Sequence, residues 1–298
     1  LTSLDTNTST ALRFLNCSYN QITSLDVSSC PALTRFECNS NQLTSLDASD
    51  CIALNELSCN HNQLTSLNVN NSTALAKISC FDNNLTSLDL SSNTALTKLE
   101  CFDNNLTSLD VSNNTALTEL NCISNAITSL DFSKNTALTK LYCGGNELTS
   151  LDLSNNTALK DWIIDFHISK IALTDNTFDL STLPAGFDIS KTSEWTNGTV
   201  DGNILTVEDA SKWVTYKYDC GNGESETFTL IPTKSAETPE KPPVSLGDVN
   251  NDGTIDTIDA SSVLAHYAAV STGGDSTFSA DQIKAADVKK KKKCDSID

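Results

Sequence analysis

The chain has 298 residues, room for two or three domains, and 38% of them are hydrophobic. Thirty-eight acidic side chains against 19 basic ones give a formal net charge of −19, which argues against nucleic acid or an anionic membrane as a partner, since both attract basic surfaces. No apolar run approaches the roughly 20 residues that span a bilayer, so membrane insertion is not expected.

The chain opens with LTSLD, the middle of a repeat, and a longer protein upstream is the expectation. Cys17, Cys38, Cys59, Cys80, Cys101, Cys122 and Cys143 then follow one another at a constant interval of 21 residues. Around each reads L-x-x-L-x-C-x-x-N-x-L, from LRFLNCSYNQI to LTKLYCGGNEL. One such turn cannot bury its own apolar face, but stacked turns share a continuous core. Leu12, Leu15, Cys17 and Ile22 are expected to point inward, with their equivalents in later turns. Asn20 and its copies through Asn146 belong in the turn, where an amide can bond otherwise unpaired backbone groups. The rest of each turn, with Leu25 and Val27 inward, is too short for a full helix. Parallel strands with a second extended segment or tight turns behind them are therefore expected.

This pattern resembles bacterial leucine-rich repeat proteins over residues 1–164. The resemblance implies that ligands are held on the concave face of the coil. The positions projecting there are Phe14, Tyr19, Phe81, Phe102, Ile123 and Tyr142, interleaved with Lys77, Lys98, Lys140, Glu37, Glu100 and Glu119. Phe81, Phe102 and Ile123 take one position in three successive turns, so an exposed apolar stripe is expected. Such a stripe either holds a protein partner or packs against a flanking domain.

The cysteine ladder reads as buried free thiols, which behave as small hydrophobes. Cys30 and Cys51 replace the usual Asn of SNNTAL at what reads as a surface corner, and are candidates for a disulfide or for free thiols. Asp5, Asp26, Asp47, Asp89, Asp110, Asp131 and Asp152 form a column broken only by Asn68. Capping of each turn by its own carboxylate competes there with a cation-binding ladder.

The repeat decays at LKDWIIDFHIS. Residues 165–233 read as a small antiparallel β domain, with an immunoglobulin-like arrangement as one candidate. It has hairpins turning at Asp201-Gly202-Asn203 and at Gly221-Asn222-Gly223. Residues 234–246 have a Pro-rich linker composition.

DVNNDGTIDTID then sets oxygen ligands at positions 1, 3, 5, 9 and 12 of a twelve-residue loop: Asp248, Asn250, Asp252, Asp256 and Asp259. Thr254 offers its carbonyl at position 7, and Gly253 makes the sharp turn. A helix, ASSVLAHYAAV, follows at once. A loop and helix without an entering helix resembles the type I dockerin of cellulosome proteins. That resemblance implies Ca²⁺ as cofactor, a cohesin of a scaffoldin as partner, and Thr257, Ile258, Leu264 and Ala265 as cohesin contacts. In the same frame Asp287, Asp295 and Asp298 fall at positions 1, 9 and 12 of a second loop. Lys289, Lys291 and Lys292 fall at positions 3, 5 and 6. Three cations replacing two ligands and the turn residue leave no calcium site there. A degenerate repeat, a frameshift and an uncertain residue run each account for the lysines.

The fold expected is multi-domain and mostly β: a leucine-rich repeat solenoid with a parallel sheet over 1–164, the small β domain over 165–233, the linker over 234–246, and an EF-hand-like dockerin of α-helix and calcium loops over 247–298. No nucleophile–base pair or zinc ligand set is visible, and His61, His167 and His266 read as scattered surface residues. The leading reading is a secreted, non-catalytic, cellulosome-associated protein whose repeats bind a protein or surface partner. Two alternatives stay open: a fragment of a plant-polysaccharide-degrading enzyme with its catalytic domain upstream of Leu1, and a cell-surface adhesin.

Overall fold

The structure, a computed structural model, describes residues 1–234. The expectations on the linker, the calcium loops and their contacts fall outside the described residues.

Each 21-residue turn contributes a three-residue strand whose central apolar side chain is turned into the coil. The solenoid strands are β1 (Phe14–Asn16), β2 (Arg35–Glu37), β3 (Ser45–Asp47), β4 (Glu56–Ser58) and β5 (Ser66–Asn68). They continue as β6 (Lys77–Ser79), β7 (Lys98–Glu100), β8 (Glu119–Asn121), β9 (Lys140–Tyr142) and β10 (Asp161–Ile163). Eight of them make one parallel sheet in the order β1-β2-β4-β6-β7-β8-β9-β10, while β3 and β5 pair separately from the second extended segment. The register keeps equivalent residues side by side, as in Lys77 beside Lys98 and Leu99 beside Leu120. Inside lie the stacked columns Leu57, Ile78, Leu99, Leu120 and Leu141, and Cys38 to Cys143, all buried.

Two buried asparagine ladders tie the turns together. In the first, the copies of Asn20 donate backward as well as locally. Asn104 Nδ2 reaches the carbonyls of Cys80 and Cys101, each at 3.1 Å, and its Oδ1 accepts the Leu85 N–H at 3.0 Å. The second runs through Asn93, Asn114, Asn135 and Asn156, whose amides each donate to two carbonyls of the preceding turn. Cys30, Cys51 and Ser72 occupy this same column. The surface-corner reading of Cys30 and Cys51 is therefore wrong. Both are fully buried free thiols. Their sulfurs face the earlier carbonyls of Thr6 and Val27, at 3.9 and 3.6 Å, where Asn would place its amide.

The acidic column consists of local caps. Asp26 Oδ1 accepts the Ser28 N–H at 2.9 Å, and the same bond recurs from Asp5 to Asp152, with Asn68 taking its turn in the series. At Asp89, hydrogen bonds from the Ser91 side chain and backbone hold the carboxyl below the usual range.

The last turn is covered by β11 (His167–Leu173), β12 (Thr177–Asp179), β13 (Thr192–Thr196), β14 (Gly198–Asp201), β15 (Ile204–Val207), β16 (Val214–Gly221) and β17 (Glu224–Lys234). They form a four-stranded sheet, β11-β17-β16-β13, and a three-stranded one, β12-β15-β14. The first sheet is mixed, because β11 pairs parallel with β17. The strand leaves the solenoid in that direction, and a parallel partner then requires a long crossover. The cap and the solenoid share one core. Tyr216 Oη donates to the Thr149 carbonyl at 2.5 Å, and the Leu153 N–H donates to the Cys220 carbonyl at 2.7 Å. His167 corrects a second expectation. It takes the asparagine slot after Asn146 and is fully buried, stacked on Phe228 with ring centroids 5.3 Å apart.

Candidate interaction surface

The outward face of the long sheet is built from three columns, one from each side of the buried central residue and one from the residue after the cysteine slot. The first column reads Phe14, Arg35, Glu56, Lys77, Lys98, Glu119, Lys140 and Asp161. Its charges are neutralised across strands and by the glutamates two residues on in the same strand. Arg35 meets Glu37 at 2.6 Å and Glu56 at 3.6 Å, and Lys77 meets Glu56 at 2.8 Å. Lys98 bridges Glu100 at 2.9 Å and Glu119 at 3.7 Å, and Lys140 meets Glu119 at 3.2 Å. Exposed pairs of this kind contribute little stability singly. Their effect is to cancel the field of a face that belongs to a strongly acidic chain. A shallow concavity of about 300 Å³ lies over β2, β4, β6 and β7, lined by these ion pairs and by Ser58 and Ser79.

The third column holds Phe81, Phe102 and Ile123, all half-buried rather than exposed. The Phe81 and Phe102 rings are stacked, 4.2 Å between centroids and 9° from coplanar. His61 meets Phe81 edge-on at 4.9 Å, and its Nδ1 lies 2.6 Å from Asp82 Oδ2. Each Phe thus covers a face of the other, which leaves ring edges toward solvent and fits protein side chains better than a stacked sugar. Elsewhere on the sheet, Phe14 is 52% exposed with the Arg35 guanidinium 5.6 Å from its ring centre, and Tyr19 is 83% exposed. Tyr142 is half-buried and donates its hydroxyl to Asp161.

Several features of this face were not read from the sequence. Arg35, Glu56 and Asp161 share the column of Lys77, and the constant spacing of 21 was signal enough to find them. Tyr19, Ser40, His61, Asp82, Asp103, Ser124, Gly145 and Phe166 all have positive φ, between 51° and 64°. That column marks where the chain leaves the sheet, and nothing in its mixed composition advertises the left-handed turn. Non-glycine residues there cost on the order of 1 kcal/mol each. The N–H of Tyr19, Ser40 and His61 recovers a bond to the next turn's carbonyl, at 2.9 to 3.1 Å.

Among the described residues no group of three or more His, Cys, Asp or Glu is placed to hold a metal ion. Burial pushes the thiols of Cys80 and Cys122 up to about 12, so the ladder is protonated and inert near neutrality.

Two family matches fall on the chain: leucine-rich repeats, two copies, over residues 10–51, and a type I dockerin domain over residues 246–298. The chain carries leucine-rich repeats and a type I dockerin domain. Neither family is catalytic. No curated protein matches. Among solved structures, an internalin (InlF) of Listeria monocytogenes is 23% identical with a TM-score of 0.52, covering 55% of this chain and 51% of its own. A leucine-rich repeat protein of Leptospira interrogans is 22% identical with a TM-score of 0.50, covering 54% of this chain and 45% of its own. Both likenesses are of fold. The functional domain of InlJ from Listeria monocytogenes, which includes a cysteine ladder, is 30% identical with a TM-score of 0.49, covering 78% of this chain and 65% of its own. This chain thus spans less than two thirds of each of these structures.

Proposed function

We propose that this leucine-rich repeat dockerin protein is a secreted, non-catalytic component of a cellulosome-type assembly. Its dockerin binds a scaffoldin cohesin in a calcium-dependent way, and the sheet face of the repeats holds a protein or surface partner. The observation that carries the first part is the type I dockerin match over residues 246–298. The second part rests on a face whose own charges are mutually cancelled and which offers the Phe81–Phe102 stack.

The calcium site assigned to the first loop takes oxygens from Asp248, Asn250, Asp252, Asp256 and Asp259 and the Thr254 carbonyl. Bound Ca²⁺ would hold the loop in one shape by neutralising four carboxylates brought together. In this proposal Gly253 serves the tight turn between the ligands, and Thr257, Ile258, Leu264 and Ala265 are the residues assigned to the cohesin contact. Lys289, Lys291 and Lys292 leave the second frame without a site. Calorimetric titration of the full chain with Ca²⁺ is expected to give one site per chain, lost in Asp252→Ala. Two sites, or one that survives this substitution, would overturn the assignment. For the repeats, Phe81→Ser with Phe102→Ser is expected to abolish partner capture and leave calcium binding unchanged.

A further inference from the structure

Where the solenoid meets the cap, the cancelled charges and half-buried rings of the sheet face give way to a different surface. Ile163 is 45% exposed, Phe166 76% and Ile168 37%. Ile163 and Phe166 continue the columns of Tyr142 and Gly145 by one turn, and Phe166 and Ile168 flank buried His167, so both point away from the core. The backbone here is tightly placed. A methyl group at Gly144 would lie 2.8 Å from the Asp165 carbonyl and 3.4 Å from the Ile163 side chain, so only glycine lets these residues close over that turn. Gly145, at φ 64°, takes the left-handed conformation that Phe166 adopts one turn later at 61°.

The charges around this patch are uncompensated. Asp165, Glu224 and Glu226 make no ion pair among the described residues, whereas Arg35, Lys77, Lys98 and Lys140 all do. Half-burial, with Asp165 and then Glu224 nearby, raises the Glu226 pKa, as expected of carboxylates gathered without a counter-cation. The one cation on the outward face of β11 is Lys170, and it too makes no ion pair among the described residues. Exposed apolar side chains beside unpaired carboxylates fit a partner with apolar anchors and basic neighbours, since cations there would supply what the carboxylates lack.

We infer that Ile163, Phe166 and Ile168, rimmed by Asp165 and Glu226, form the anchor point at which the repeats take a basic, apolar segment of a partner protein. The inference rests on the reading of the repeats as a protein-binding module and adds where the contact centres and what chemistry it selects.

The test uses the full chain and three labelled ten-residue peptides, alternating Leu/Lys, Leu/Glu and Ser/Lys, followed by fluorescence anisotropy. The Leu/Lys peptide is expected to bind well above the other two. Phe166→Ser should weaken it by about tenfold, and Asp165→Asn with Glu226→Gln should weaken it less while flattening its salt dependence. Phe166 is exposed, so circular dichroism of its variant should match the parent. Equal binding by parent and Phe166→Ser would overturn the inference. If Phe81→Ser with Phe102→Ser then removes binding, the sheet-face reading stands and only this location fails. If neither variant changes binding, both fail. Equal binding of the Ser/Lys peptide would reduce the contact to non-specific charge and also overturn the inference.

Discussion

Asn104→Ala and Asn114→Ala remove the same side chain from two buried positions, one in each ladder, yet their costs should differ. Asn104 Oδ1 is the partner of the buried Leu85 N–H at 3.0 Å, and its amide serves the carbonyls of Cys80 and Cys101. Truncation orphans that N–H, a penalty of about 1–3 kcal/mol, and removes a donor from two carbonyls at about 1 kcal/mol each. Asn114 also loses two carbonyl contacts, at 3.2 and 2.8 Å, but its buried Oδ1 has no partner at all. Removing an unsatisfied acceptor offsets part of the loss. The voids left behind are equal in size, so the cavity penalty largely cancels in the comparison. Asn104→Ala should therefore destabilise by about 3–5 kcal/mol through its lost hydrogen bonds, and Asn114→Ala by about 2 kcal/mol less. Urea unfolding of the full chain, followed by circular dichroism, reads both. Equal costs, or a larger cost at Asn114, would refute the argument that the N–H of the preceding turn, accepted by Oδ1, is what sets the first ladder apart.

His167 makes the solenoid–cap junction pH-sensitive. Burial lowers its pKa from 6.5 to about 4, and neither ring nitrogen has a hydrogen-bond partner among the described residues. The unfolded state takes up the proton first, so stability is full above about pH 6.5 and is lost as pH falls toward 4, by up to about 3 kcal/mol. Thermal melts between pH 7 and 5 should show this slope, and His167→Asn, which restores the repeat residue, should flatten it. The aspartate caps, whose pKa values are lowered, lose their contribution only below that window. The ladder thiols give another check. Alkylation at pH 8 followed by peptide mapping should leave Cys38 to Cys143 unmodified in the native chain, with Cys17, in the first turn, the first of the ladder to react. Rapid modification of Cys80 or Cys101 would contradict a packed core.

The solenoid was legible because one period writes every inward position repeatedly: the cysteines, the leucines and the first asparagine ladder all follow from spacing. The second ladder was not. In SNNTAL four polar residues stand together and read as a corner, and only the coil's curvature turns the second Asn inward to donate backward. Cys30 and Cys51 were misplaced with it. His167 looked like a surface residue because its ring has no polar partner to reveal burial, although the spacing from Asn146 placed it in an inward slot. The parallel pairing of β11 depends on where the chain enters the cap, which no local pattern encodes. The expected calcium loop carries its chemistry in a short contiguous motif, which is why residues 248–259, with the helical pattern directly after them, were enough to suggest a dockerin.

The central claim is attachment through the dockerin, and calorimetric titration of the full chain with a panel of cohesins, in calcium and in chelator, tests it most directly. The account predicts tight binding to at least one cohesin in calcium, none in chelator, and none after Asp252→Ala. Binding that ignores calcium would contradict it, as would no binding to any cohesin by a chain that has taken up its one Ca²⁺.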